Sequence, residues 1–368
     1  MNHISTTIKG TALAVAFAST ALAGSAIAAD KSVKIYNWSD YIAEDTIPNF
    51  QTQTSVQVTY DVFDSNDVLE AKVLSGQSGY DIVVPTSDYL ARHIKAGAYQ
   101  KLDKSKIPNW KNLDTELLRN LENYDPSNEY GVPYQWGTTG IGYNVAKVEE
   151  ALGKGAPTDS WDLIFDPKYS SKLKSCGIAV LDSGSEVLPV VLQYLKLDPN
   201  SKSKADYKKA QELMAGIREN ITYFHSSRYI SDLANGDICV AIGWSGDVFQ
   251  AAARAEEAEN GVEVAYSIPK EGTAMWADMM AIPADSKNVE EAHQWINYVL
   301  DAKVGADITN YVWYGSPNEA SKQFIDPEIL EHPGIYPPEG TNLFTFEVLP
   351  QKIERVMSRT WTAIKTGQ

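Results

Sequence analysis

An indole, a hydroxyl, a carboxylate and a phenol arrive together in the run Asn37-Trp38-Ser39-Asp40-Tyr41, directly after an apolar-alternating stretch at residues 33–36. The spacing puts them where a strand hands over to a helix, and the ends of strands in open α/β sheets are where ligands bind. Aromatic faces beside a carboxylate suit a cation carried on an apolar stem: the rings attract and desolvate it while the carboxylate fixes its charged end. The same pairing recurs along the chain. Glu186 follows Asp182-Ser183-Gly184-Ser185, Asp247 follows Trp244-Ser245-Gly246, Asp278 follows Trp276, and Trp313-Tyr314 precedes Gly315. Each alone has an ordinary explanation, Asp247 as a helix cap and Trp313 as a core residue. Their recurrence in both halves of the chain is what points to one site.

The ligand that suits this set is a linear polyamine. Its ammonium groups need carboxylates at fixed separations, and its methylene stem needs apolar walls that leave no donor or acceptor unpaired. Ring faces serve both needs, at about 0.5–2 kcal/mol per cation contact.

Composition is consistent with this. The 368 residues carry 32 Lys and Arg against 48 Asp and Glu, a formal charge of −16, which disfavours nucleic acid and anionic membrane and draws cations. Residues 1–29 read as a secretory leader: Lys9, an apolar stretch at about 11–22, and an A-x-A cleavage site near Ala28 and Ala29. An exported chain is expected. The two cysteines, Cys176 and Cys239, each stand where a strand begins. An oxidising compartment and an even count favour one disulfide, with two buried free thiols as the other reading. The five histidines, His3, His93, His225, His293 and His332, fall at no metal-ligand spacing, so no metal and no cofactor are expected, and His225 reads as a satisfied structural residue. No nucleophile elbow, phosphate loop or dinucleotide fingerprint is present.

The elements that must position these groups alternate between short β-branched runs and helical patterns, which predicts an α/β fold with a mostly parallel sheet. Strands are expected at 33–37, 56–60, 81–85, 178–181, 221–224 and 238–244. Helices are expected at 43–51, from Ser65 or Asn66 to 74 with Asn66 as cap, and at 87–96, 186–195, 205–218, 289–300, 304–311 and 350–364, with another opening at Gly246. The glycine-rich, aromatic run at 132–144 reads as a strand crossing between two lobes. Strands at 262–269 and 275–282 lead back to the first lobe. The expected division is 30–135 for the first part of lobe one, 136–268 for lobe two, 269–318 for the return, and 319–368 packing across both, with a hinge and a cleft between the lobes.

The runs Tyr36-Asn37-Trp38-Ser39-Asp40-Tyr41, Tyr60-Asp61-Val62-Phe63-Asp64-Ser65-Asn66, Tyr80-Asp81-Ile82-Val83-Val84-Pro85, Gly140-Ile141-Gly142-Tyr143-Asn144, Ser160-Trp161-Asp162, Phe224-His225-Ser226-Ser227, Asp232-Leu233-Ala234-Asn235-Gly236-Asp237 and Gly334-Ile335-Tyr336-Pro337 resemble the periplasmic putrescine/spermidine-binding proteins of polyamine ABC importers. The resemblance runs in order through the chain after the leader. It implies a two-lobed, type II periplasmic-binding-protein fold that closes on a polyamine, a periplasmic location, and a membrane ABC permease as partner; a monomer is the default, and no enzymatic activity is expected. Carried over by motif, the box holds Trp38, Ser39, Asp40 and Tyr41 from one lobe, Glu186, Ser226, Trp244 and Asp247 from the other, and Trp276, Asp278 and Tyr314 from the returning segment. The resemblance also places the disulfide on Cys176 and Cys239. Trp276 stands where the putrescine-preferring pattern has Phe, Thr86 and Asp88 where it has Ser, and Phe346 where a smaller aliphatic residue is common. Thr86, Asp88 and Phe346 therefore join the ligand set, and Trp276 resembles the spermidine-preferring members.

Other readings remain open from the residues alone. Paired carboxylates on aromatic platforms also describe glycosidases. A sugar- or amino-acid-binding lobe pair is another, although no Arg stands within the core motifs. The same box would also serve a polyamine-sensing protein that reports to a membrane receptor.

Overall fold

The computed structural model describes residues 1 and 31–367. Apart from Met1, the expected leader with its cleavage point lies outside the described residues.

The β-branched runs form strands β1 (Ser32–Trp38), β2 (Gln57–Phe63), β3 (Ile82–Val83), β4 (Gly131–Asn144), β5 (Ile178–Val180), β6 (Tyr223–Phe224), β7 (Val240–Trp244), β8 (Val264–Ser267), β9 (Thr273–Ala281) and β10 (Leu343–Phe344). They join in one sheet of order β2-β1-β3-β9-β4-β7-β5-β6, with β8 paired to β4 and β10 to β9. Pairs separated by a helical crossover are parallel, as β1 is to β2 and β3 and β5 is to β6 and β7. The sheet is mixed rather than mostly parallel. β4 is antiparallel to β7, β8 and β9, and β3 to β9, because the chain traverses the molecule along β4 and comes back along β9.

β4 is what joins the two lobes. Up to Thr138 it pairs with β9, and from Thr139 onward with β7. It presses so closely on its neighbours that a Cβ on Gly140 would sit 2.4 Å from the Tyr266 hydroxyl, so this position takes only glycine. The strand expected at 262–269 to lead back to the first lobe does not reach it. That strand is β8, which lies on the 141–144 end of β4, and β9 alone makes the return.

Helices start where strands of the two lobes end. Helix Ser87–Lys95 follows β3, helix Gly184–Tyr194 follows β5, and helix Ser245–Glu257 follows β7 without a connecting residue. The cap of helix Asn66–Leu74 is Ser65, whose hydroxyl accepts from the Val68 amide; Asn66 is instead turned inward, donating to the Thr86 hydroxyl at 2.7 Å and accepting from the Thr86 amide. The C-terminal helix Gln351–Thr366 packs on helices Gly184–Tyr194 and Lys204–Ile217. Among the described residues no helix is long and apolar enough to cross a membrane.

Cys176 and Cys239 form a disulfide with their Cα atoms 5.4 Å apart. It ties the turn before β5 to the residue before β7, closing a loop with a sequence separation of 63. Constraint of the unfolded chain by such a loop is worth about 2–4 kcal/mol. The double variant Cys176→Ser, Cys239→Ser is expected to lose about that much in chemical denaturation while its ligand affinity stays within a few-fold of wild type, since the bridge lies behind the sheet ends that carry the site.

Candidate functional site

Ten side chains from both lobes line one cleft: Trp38, Ser39, Tyr41, Thr86, Glu186, Trp244, Asp247, Trp276, Asp278 and Tyr314. All of these come from the sequence-derived set. Trp38 closes β1, Trp244 closes β7, Trp276 and Asp278 lie on β9, and Glu186 and Asp247 ride the first turns of the helices that follow β5 and β7.

The aromatic rings form a continuous wall by edge and tilted contacts. Trp38 and Trp244 meet across the lobes with centroids 5.4 Å apart, Trp244 and Trp276 lie at 6.5 Å, Trp276 and Tyr314 at 5.6 Å, and Tyr314 and Tyr41 at 4.9 Å. The Trp38 indole is held by its N–H to the Val84 carbonyl, 2.9 Å.

Three carboxylates are set into this wall. Asp247 accepts from the Tyr314 hydroxyl on one oxygen and the Tyr229 hydroxyl on the other, both at 2.7 Å. It is not the helix cap its position implies: the residue flanking the helix is Trp244, and Asp247 faces inward from the first turn. Asp278 accepts from the Tyr41 hydroxyl at 3.0 Å on Oδ2, while its buried Oδ1 has no hydrogen-bond partner among the described residues. Glu186 accepts from the Thr139 hydroxyl at 3.0 Å. Neutral hydroxyls do not offset the loss of water around a carboxylate. Burial therefore pushes Glu186 up to about 8 and Asp247 and Asp278 up to about 7.

The charges fall into two poles. Glu186 is disfavoured further by the nearby carboxylates of Asp88 and Asp278, and Asp278 by Asp88, whereas the acidic neighbour acting on Asp247 is Asp40. Among the described residues, no Lys or Arg lines the cleft.

Four residues of the expected set do not line it. Asp40 is exposed, with φ of 53°, and its carboxylate pairs at 2.6 Å with Arg254 of helix Ser245–Glu257, so it joins the lobes at the rim. Ser226 is buried, and its hydroxyl accepts from the Asp182 amide at 3.1 Å, fixing the turn that launches the Glu186 helix. Asp88 is buried one layer back, where burial pushes it up to about 6 against the pull of Arg92. Phe346 lines a neighbouring cavity of about 490 Å³ that shares Trp276 with the cleft. Of the remaining readings, His225 is structural, its Nδ1 accepting from the amides of Ser227 and Arg228, and Trp313 is half-buried at the end of its helix rather than in the core.

Tyr229 and Thr139 were not among the expected residues. Both act on the carboxylates from outside the cleft. Tyr229 carries no signal in the sequence, since its hydroxyl is aimed at Asp247 by tertiary packing; Thr139 lies inside the glycine-rich crossing that was recognised without being assigned a role.

Residues 45–337 match the family of bacterial extracellular solute-binding proteins. The chain belongs to that family. This solute-binding protein is 53% identical over 348 residues to the putrescine-binding periplasmic protein PotF of Escherichia coli (strain K12), covering 94% of each chain. It is 32% identical over 307 residues to the spermidine/putrescine-binding periplasmic protein of Salmonella typhimurium (strain LT2), covering 83% of each. Among solved structures it resembles a putative spermidine/putrescine ABC transporter from Listeria monocytogenes, with a TM-score of 0.81 and 30% identity over 92% of this chain and 100% of that one. The two-lobed fold with a cleft at the strand ends is the fold of these proteins.

Each cleft carboxyl of the solute-binding protein holds its proton more tightly when folded than when unfolded, where the ordinary values are 3.8 for Asp and 4.5 for Glu. Stability from these groups is thus fullest at low pH and is lost as pH rises through about 7 to 8. Ligand-stripped protein is expected to become less resistant to urea between pH 5.5 and 8, and Asp247→Asn to flatten that slope. An equal slope in the variant would contradict the assignment.

Proposed function

We propose that this chain is the periplasmic substrate-binding component of a polyamine ABC importer, which captures spermidine or putrescine by closing its lobes and hands it to a membrane permease. The observation that carries this reading is the set of three buried carboxylates facing an aromatic chamber that, among the described residues, has no cationic side chain in its lining. An ammonium ion supplies the missing charge, and methylenes fill the space between the indoles without stranding a polar group. The relatives named for putrescine and spermidine add to this. The lobe division at about 135/136 and 268/269 belongs to the same proposal, and the protein works as a monomer that leaves its ligand chemically unchanged.

The two poles set the polarity of binding. One terminal ammonium lies between Asp247 and the Tyr314 side of the chamber, and the other faces Asp278 and Glu186. The unpartnered Oδ1 of Asp278 is an acceptor that an N–H of the ligand satisfies. Asp88 does not line the cleft, but its charge deepens the pole at Glu186 and Asp278. The cavity beyond Trp276, bordered by Ser87 and Phe346, leaves room for the longer end of a triamine. Spermidine is therefore expected to bind at least as well as putrescine.

Calorimetry tests the site and its chemistry together. Asp247→Asn and Trp244→Ala should each weaken polyamine binding by about tenfold or more, about 1.4 kcal/mol, and wild-type affinity in either would overturn the assignment. Competitive titration should show no more than a tenfold preference for putrescine, with Trp276→Phe moving the ratio toward the diamine. Ligand recovered after binding should have its original mass; steady release of a new product would favour an enzyme instead.

Because the ammonium favours the charged carboxylates, binding should release protons near neutral pH and weaken as the pH falls below about 7. Titrations in buffers of different ionisation enthalpy read the protons released, and a value of zero at pH 6.5 would contradict the charge assignment.

A further inference from the structure

Thr139 sits at the residue where β4 changes partner between the two lobes, and it is fully buried. Its hydroxyl donates to Glu186 Oε2 at 3.0 Å and accepts from the Trp276 indole N–H at 3.1 Å. Its backbone carbonyl accepts from the Thr273 hydroxyl on β9. The three groups come from different parts of the chain: Trp276 from the returning strand, Thr139 from the crossing strand, and Glu186 from the first turn of a second-lobe helix.

We propose that Thr139 is a positioning and specificity-determining residue, and that Trp276, Thr139 and Glu186 act as one hydrogen-bond relay joining the chamber wall to a ligand carboxylate. This rests on the polyamine reading of the cleft. The direction of the relay is set by chemistry. Indole N–H is a donor only and a carboxylate accepts only, so the threonine hydroxyl must take the first bond and give the second. A hydroxyl that accepts from one group becomes a stronger donor to the next. The relay thus stabilises Glu186 in its charged form, against burial and the two carboxylates that face it, Asp88 of helix Ser87–Lys95 and Asp278 of β9, and beside a further hydrogen bond from Trp244 of β7. It also fixes the plane of the Trp276 ring.

The consequence for specificity differs from that of ring size. A phenylalanine at position 276 offers a flat face but no N–H, so it leaves Thr139 without its donor and Glu186 with a weaker one. The position that selects the ligand by shape also tunes the charge of a carboxylate on the opposite lobe. Neither a purely apolar contact at 276 nor a purely structural threonine at 139 predicts that link.

The test measures putrescine and spermidine affinity by calorimetry from pH 6 to 9 for wild type, Thr139→Val, Thr139→Ser and Trp276→Phe. Thr139→Val is nearly isosteric and should weaken binding about tenfold or more at pH 7. It should also move the pH at which affinity is half lost upward. Thr139→Ser restores the hydroxyl and should return both quantities toward wild type. Trp276→Phe, which keeps Thr139, should shift the pH midpoint in the same direction as Thr139→Val, and this holds the proposal to account if the valine variant fails to fold. An unchanged midpoint in Trp276→Phe, or a serine variant that behaves like valine, would overturn the relay. In ligand-free protein the indole proton of Trp276, assigned through Trp276→Phe, should stay near its wild-type position in Thr139→Ser and be lost from its hydrogen-bonded position in Thr139→Val. An indole resonance indifferent to position 139 overturns the relay even if no polyamine binds, whereas a wild-type protein that binds neither polyamine overturns the function and not the relay.

Discussion

The structure depends on the cost of keeping carboxylates out of water. Asp247, Asp278 and Glu186 are each taken below the surface and given phenol or alcohol donors in place of solvent, and these hold the groups in place without neutralising them. A fold in which such groups were merely tolerated would bring an arginine or lysine alongside. Here the guanidinium groups stand outside: Arg254 at the rim on Asp40, and Arg92 behind Asp88 and bound to Glu70 and Glu354. The chamber stores an electrostatic deficit that a cation removes, and lobe closure can be driven by that removal.

The scaffold makes this possible by delivering the charged groups on rigid ends. Asp247 and Glu186 are in the first turns of helices that begin at the ends of β7 and β5, so the backbone amides of those turns favour negative charge there. Asp278 lies on β9, which pairs with β4 along the crossing between lobes. Close contacts hold the wall in register: a Cβ on Gly246 would lie 2.3 Å from the Tyr314 ring, which presses that ring against the helix turn bearing Asp247. Packing at one glycine therefore sets the distance between a phenol and a carboxylate.

Much of this was legible in the residues. Trp beside a carboxylate points to Asp247 and Asp278 and to the indoles next to them, because that pairing is local in sequence, whereas Glu186 has no aromatic neighbour in the chain and meets the indoles only in the fold. Asp40 was misplaced for a reason the pattern does not contain. A carboxylate next to Trp38 has the right chemistry, but the left-handed backbone at Asp40 turns its side chain away from the chamber and toward Arg254 on the other lobe. Ser226 and Asp88 lie behind the groups they resemble in chemistry, one supporting a turn and the other a charge. Tyr229 and Thr139 were not assigned because a hydroxyl's partner is a tertiary fact. The mixed direction of the sheet has a similar cause: β-branched runs reveal strands, and the antiparallel direction of β4 follows from its tertiary pairing with β7, β8 and β9.

The contact between Trp38 and Trp244 has a further use. It is an edge-on meeting of two indoles that belong to different lobes, 5.4 Å apart, with a third indole at position 276 next in line. Excited-state coupling and quenching between indoles fall steeply with separation and angle. Parting of the lobes would separate the first two rings and wet them, so the emission of the protein's own tryptophans would report that change. The wall that desolvates the ligand is also a built-in optical gauge, which needs no label to report how far the cleft stands open.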